Sequence, residues 1–129
     1  MIWYIAFGGA VGSVGRVLLG AAIQQRLATT FPLGTLAVNL SGSLLLGFLL
    51  RLSLSTQAIS PEVRLMLAAG FCGGYTTFSA FSYETAVLLE DGEYRRALLY
   101  VAMSVAGAVV GTFVGFALAR LIVATGRAH

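Results

Sequence analysis

The sequence predicts an all-α membrane protein of four transmembrane helices, with a break in the third, and three observations carry that prediction. First, 58% of the 129 residues are hydrophobic and only 10% are charged, with a mean hydropathy of +0.90, a balance typical of integral membrane chains. Second, four long stretches almost free of charge are separated by short polar connectors, giving expected spans of about residues 2–27, 33–54, 62–89 and 95–122 in a single domain, 1–129. Each is long enough to cross a hydrocarbon layer of about 30 Å as a helix. Third, Gly70 to Ser82, reading GFCGGYTTFSAFS, puts glycines, hydroxyls and aromatics inside the third of these stretches.

The first span is apolar apart from Arg16 near its middle and Gln24, Gln25 and Arg26 towards its end. A charge at that depth costs at least ~3 kcal/mol on insertion scales, so Arg16 must snorkel, pair or face an aqueous vestibule. Structural anchoring and attraction of an anion both fit. Gly8, Gly12 and Gly15 form a small-residue stripe suited to helix contact. No Lys or Arg precedes the apolar run and no small-residue cleavage site is evident, so a retained first helix is expected rather than a removable signal peptide. Pro32 closes the connector Ala28–Pro32 and is well placed to open the second helix. In that helix Thr35, Asn39 and Ser43 recur at four-residue spacing and share a face, and Arg51 ends the charge-free run as an interfacial anchor. Asn39 either bonds a neighbouring helix or lines a pore with an amide that donates to an anion.

The run Leu65 to Tyr83 is charge-free and 19 residues long, yet Gly70, Gly73 and Gly74 weaken it as a helix, each by roughly 1 kcal/mol relative to Ala. An unwound turn in lipid leaves backbone groups unpaired at several kcal/mol apiece, so any break must face protein, water or an ion. Either the glycines only permit close packing, or the helix is discontinuous and its carbonyls, with the hydroxyls of Thr76, Thr77, Ser79 and Ser82, line a polar site at mid-membrane. Four hydroxyls within seven residues favour discontinuity. Glu62 suits the first turn of this segment, and Glu84, six residues before the acidic turn that starts at Glu90, is expected at the membrane interface. In the fourth span Tyr100, Ser104, Gly107, Gly111 and Gly115 fall on one side, expected to meet the other helices while the large apolar residues opposite face lipid.

Four crossings put Arg51, Arg64, Arg120 and Arg127 on one side and Arg26, Arg95 and Arg96 on the other, a four-to-three count that barely instructs insertion. An antiparallel dimer is therefore possible. Size agrees, because four helices packed around a filled core leave little room for a polar pathway, so transport needs a second copy. Other chemistry finds no home. Lys is absent and the eight arginines are scattered, which argues against nucleic acid. Cys72 is alone, the sole histidine is His129, and no metal-ligand cluster, Ser/His/Asp set or phosphate loop is present, so enzymatic activity is not expected. Phe78 and Phe81, three apart, share a helix face. Such a pair is ordinarily core or lipid-facing, but an aromatic edge is electropositive, and beside Asn39, Ser79 and Ser104 two edges can partly replace the hydration of a small anion.

The stretches GGAVGSVGR (Gly8 to Arg16), GTLAVNLSGSLLLG (Gly34 to Gly47) and GFCGGYTTFSAF (Gly70 to Phe81) resemble, in order and spacing, the three signature stretches of the CrcB/Fluc-type fluoride channels. The resemblance covers nearly the whole chain and is most specific in its third stretch. It implies an antiparallel, dual-topology homodimer of four-helix protomers in the cell inner (plasma) membrane, passively exporting cytoplasmic fluoride, with a structural sodium ion at the dimer centre. By motif position it assigns sodium to the backbone carbonyls of Gly73 and Thr76, and the fluoride pathway to Asn39, Phe78, Phe81, Ser79, Tyr100, Ser104 and Thr35. Arg16 would stand near a vestibule. Ala80 occurs where a threonine is common, and Ala108 where some relatives carry a serine. Small four-helix multidrug exporters are the alternative; they centre on a glutamate in the first helix, where this chain has an arginine. A non-conducting assembly subunit would leave the polar residues without purpose.

The arginine count generates a test. Adding about two or three arginines to one loop should drive nearly all copies into one orientation, and fluoride efflux from cells should fall as antiparallel partners become scarce. Full efflux from a population shown by loop labelling to be singly oriented would contradict dual topology.

Overall fold

A computed structural model describes residues 1–127; His129, the sole histidine, lies outside the described residues. The chain is all-helical over those residues: α1 (Ile2–Leu27), α2 (Leu33–Ser55), α3 (Pro61–Leu65), a π-helical segment (Met66–Cys72), α4 (Gly73–Tyr75), α5 (Phe78–Glu90) and α6 (Tyr94–Arg127). Three helices, α1, α2 and α6, are each long and apolar enough to cross a membrane. The third expected span is instead a chain of short pieces. Thr76 (φ −87°, ψ 156°) and Thr77 (φ −148°, ψ 117°) are extended between α4 and α5. The turn of the chain thus comes two residues after Gly74 rather than at the glycines, and Gly73 itself has ordinary helical angles (φ −63°, ψ −38°).

Local chemistry explains the ends. Ala28 closes α1 in the left-handed region at φ 46°, and Gln24 holds the chain that follows. Its Nε2 donates to the carbonyls of Thr29 (2.6 Å) and Phe31 (2.9 Å), while its Oε1 accepts from Gly34 N–H (3.0 Å). One side chain therefore folds the connector and supplies a partner to a first-turn amide of α2 that no helix bond satisfies. Ser60 caps α3 through Val63 N–H, with Pro61 following at the first helical position. At about 1.5 Å per residue, the 34 residues of α6 exceed the hydrocarbon thickness, so its ends, with Tyr94 and Arg127, reach the headgroup layer.

Close approach sets the packing. α2 and α6 run in parallel: a Cβ at Gly47 would stand 2.5 Å from the Thr112 carbonyl oxygen, one at Gly115 would stand 2.7 Å from Phe48 N, and Arg51 lies over the Phe116 ring at 4.3 Å. α1 packs against the third segment in the same way. A Cβ at Gly12 would meet the Phe71 carbonyl and lie 3.0 Å from Tyr75 N, and Gly8 faces the backbone of Met66 and Phe71. The expected small-residue faces of α1 and α6 are therefore the faces that make these contacts. Large apolar side chains elsewhere on these helices are bare: Trp3, Phe7, Val14 and Leu18 on α1, and Leu98, Val110, Phe113 and Leu121 on α6, are all exposed. A chain that leaves such apolar surfaces outward along helices of this length is a multi-pass membrane protein.

Candidate functional site

The extended dipeptide Thr76–Thr77 is where the site is built, and Asn39 of α2 holds it. Asn39 Nδ2 donates to the Thr77 carbonyl (3.0 Å), and Thr77 N–H donates to Asn39 Oδ1 (2.7 Å). One amide side chain thus satisfies both backbone groups of an extended residue, as a neighbouring strand would. Thr77 then caps α5, its Oγ1 accepting from Ala80 N–H at 3.1 Å. Both arrangements divert hydrogens. In an unbroken helix Thr77 N–H would serve the Gly73 carbonyl and Ala80 N–H the Thr76 carbonyl; here those donors go to Asn39 and to the Thr77 hydroxyl. Thr76 N–H still reaches Cys72, and its own hydroxyl back-bonds to the same carbonyl at 2.9 Å.

Two cavities lie on either side of this pair, and Thr77 lines both. The first, about 440 Å³, is walled by Arg16, Gln24, Thr35, Val38, Ala80 and Glu84 among others. The second, about 310 Å³, is walled by Asn39, Ser43, Thr76, Phe78, Phe81 and Ser104, with Val105, Ala108 and Val109. The sequence-predicted residues therefore fall into two groups. Arg16 and Thr35 belong to the first cavity, and Asn39, Phe78, Phe81 and Ser104 to the second. Ser79 lines neither; its hydroxyl sits 3.2 Å from that of Thr77 in an exposed position.

From the second cavity inward the aromatic rings form a chain, in which Phe78 and Phe81 line the cavity and Tyr100 lies behind them. Phe78 and Phe81 have centroids 5.5 Å apart, and Phe81 and Tyr100 5.2 Å apart, both tilted. Phe78 is 80% exposed, while Tyr100 is fully buried. The Ser104 hydroxyl is buried and bonded to no protein atom, which is costly unless something enters to pair with it. No wall of this cavity carries a charged side chain.

One residue of the site escaped the sequence reading. Glu84 is half-buried, and it accepts hydrogen bonds from Thr35 Oγ1 (2.7 Å) and from the Tyr100 hydroxyl (2.6 Å). The carboxylate ties α2, α5 and α6 together at the floor of the first cavity. Its only sequence signal was being the sole acid between Glu62 and Glu90. Thr35 and Tyr100, read as pathway residues, spend their hydroxyl hydrogens on it. Arg16 Nε donates to the Gly74 carbonyl at 3.2 Å, so the guanidinium is anchored to the backbone just before the extended dipeptide.

Comparison with known proteins agrees with this architecture. The family model for CrcB-like protein, Camphor Resistance (CrcB), matches residues 3–116. A protein of Chlorobium phaeobacteroides (strain BS1) named fluoride-specific ion channel FluC is 47% identical over 117 residues, 91% of each chain. Relatives of the same name in Chlorobaculum tepidum and Geobacter sulfurreducens are each 51% identical, over 91% and 90% of this chain and 92% and 94% of theirs. With a matching family model over most of its length, three apolar spanning helices and the three motif stretches in order, the chain belongs to the CrcB family.

Proposed function

We infer that the protein is a fluoride-selective channel, not an enzyme, and that it lets cytoplasmic fluoride leave passively across the inner (plasma) membrane. The observation that carries this reading is the second cavity. It offers a bare Phe78 ring, the Phe81 ring, the Asn39 amide and an unpartnered buried Ser104 hydroxyl, and it has no cation on its walls. Hydroxyl donors and electropositive ring edges suit a small, strongly hydrated anion that must exchange its water for weak, numerous contacts. The curated relatives bear the name of fluoride-specific channels. Fluoride enters a cell from acidic surroundings as neutral HF and is trapped as the ion, so a passive path suffices to export it.

The conducting form is an antiparallel homodimer in the lipid bilayer. Gly73 supports this. A Cβ there would meet nothing within 4 Å, so no contact within the protomer requires glycine at this exposed position, and a second backbone approaching it would. A sodium ion at the centre of that dimer fits the same region, because the Gly73 and Thr76 carbonyls have lost their helical donors to Asn39 and Thr77. Among the described residues no group of His, Cys, Asp and Glu side chains is placed to hold a metal, and carbonyl oxygens are suited to a hard cation. Such an ion would supply fixed positive charge and cross-bridge the two breaks. The residues of this chain present the carbonyls and keep the surrounding helices in place.

Purified protein in liposomes should release fluoride and not chloride when a potassium ionophore balances charge, and no such release would overturn the channel reading. Replacing Phe78 or Phe81 by Ile keeps apolar bulk and removes the ring quadrupole; efflux should drop at least about tenfold, equivalent to a barrier higher by ~1.4 kcal/mol, with the dimer intact. Unchanged efflux from both would rule out the aromatic contact.

Asn39→Asp separates two roles of the amide. An ionised carboxylate still accepts from Thr77 N–H but donates nothing to the Thr77 carbonyl, and it puts a negative charge beside the anion path. Fluoride efflux should be lost. Wild-type efflux from a folded Asn39→Asp variant would show that the amide donor is not needed.

A further inference from the structure

We propose that Arg16 is a positioning residue for the break, fixing the Gly74 carbonyl just before the extended dipeptide, and not only a source of positive charge in the first cavity. It is the only charged side chain between Ile2 and Gln25, and its Nε donates to Gly74 O at 3.2 Å. That carbonyl belongs to the last turn of α4, immediately before the extended Thr76. A carbonyl there points past the end of a helical segment and carries the negative end of its dipole. With the chain extended at Thr76 and Thr77 it has also lost its place in a helix ladder, so a side-chain donor is what fixes it.

The contact is built by the fold rather than by chance reach. Gly9, Gly12 and Gly74 bring the two backbones together: a Cβ at Gly74 would stand 2.6 Å from Gly9 O, and one at Gly12 would stand 3.0 Å from Tyr75 N. Arg16 lies one helical turn beyond Gly12 on the same face, so its inner nitrogen meets Gly74 at a fixed distance. Use of Nε leaves both terminal amino groups of the guanidinium uncommitted while the residue lines the first cavity. Among the residues lining that cavity Arg16 is the only cation and Glu84 the only anion. Lys carries its three donors on one nitrogen at the end of a flexible stem, whereas the rigid arginine fork holds the carbonyl through Nε and presents separate donors to the cavity. The two functions therefore need arginine.

The test has a structural arm and a flux arm. In wild-type protein labelled at Arg side chains and Gly carbonyls, solid-state NMR in lipid should show dipolar coupling between Arg16 Nε and the Gly74 carbonyl carbon. Its absence overturns the proposal whether or not any variant folds. In the flux arm, which rests on the channel reading, Arg16→Lys and Arg16→Gln should both lose fluoride efflux by about tenfold or more, with the Gly74 carbon shift displaced in both. The loss in Arg16→Lys, which keeps the charge, should not depend on ionic strength, because a hydrogen bond at this range is not screened as a remote charge is. Wild-type efflux from Arg16→Lys, with a salt-sensitive loss confined to Arg16→Gln, would mean that charge alone matters and would overturn the proposal. If the wild type carried no fluoride at all, the channel reading would fall while the coupling measurement still decided the Arg16 contact.

Discussion

The structure depends on one reciprocal pair, the Asn39 side-chain amide against the Thr77 backbone. A polypeptide cannot leave helical geometry inside a bilayer without finding partners for the groups it frees, each worth several kcal/mol when abandoned. Thr77 frees one donor and one acceptor, and Asn39 is the side chain that carries both complements at the right separation. With that pair in place, α5 starts afresh with Thr77 as its cap, and the Phe78 and Phe81 rings are carried on its first turns. The pair also stands as the partition between the two cavities.

Glycines make the pair possible by letting backbones come closer than side chains allow. α1 touches the third segment through Gly8 and Gly12, and α2 meets α6 through Gly47 and Gly115. These approaches set the distance at which Asn39 reaches Thr77, Arg16 reaches Gly74, and Glu84 gathers the hydroxyls of Thr35 and Tyr100. These three polar contacts each join different elements. Cohesion elsewhere comes from packing, as expected where lipid gives no hydrophobic drive between helices.

The all-helical membrane character was legible because apolar runs of this length have few other uses, and the packing stripes were legible because Gly8 and Gly12, or Gly111 and Gly115, recur one turn apart. The break was legible to within Gly70 to Ser82, though not its exact residues, Thr76 and Thr77. Glycine marks where a helix is weak, but the chain turns where a distant side chain rewards it, and Asn39 is 38 residues away from Thr77. The bonding of Glu84 was not legible, because counting residues to the next loop says nothing of the two hydroxyls that α2 and α6 bring to it. Asn39, Phe78 and Phe81, from two of the motif stretches, do share a cavity with Ser104 of the fourth span, a grouping that only the tertiary structure assembles.

Amide exchange at Thr77 tests the central claim most directly, since this hydrogen has no helical acceptor and beside a polar cavity only Asn39 shields it. In lipid nanodiscs the Thr77 amide of the wild-type protein should exchange slowly, and in Asn39→Ala it should exchange at least about tenfold faster, corresponding to the loss of ~1.4 kcal/mol of protection, while the amides of α2 and α6 keep their rates. Equal Thr77 exchange in the two proteins, with the variant folded, would show that the break is held by something other than Asn39 and would contradict the account.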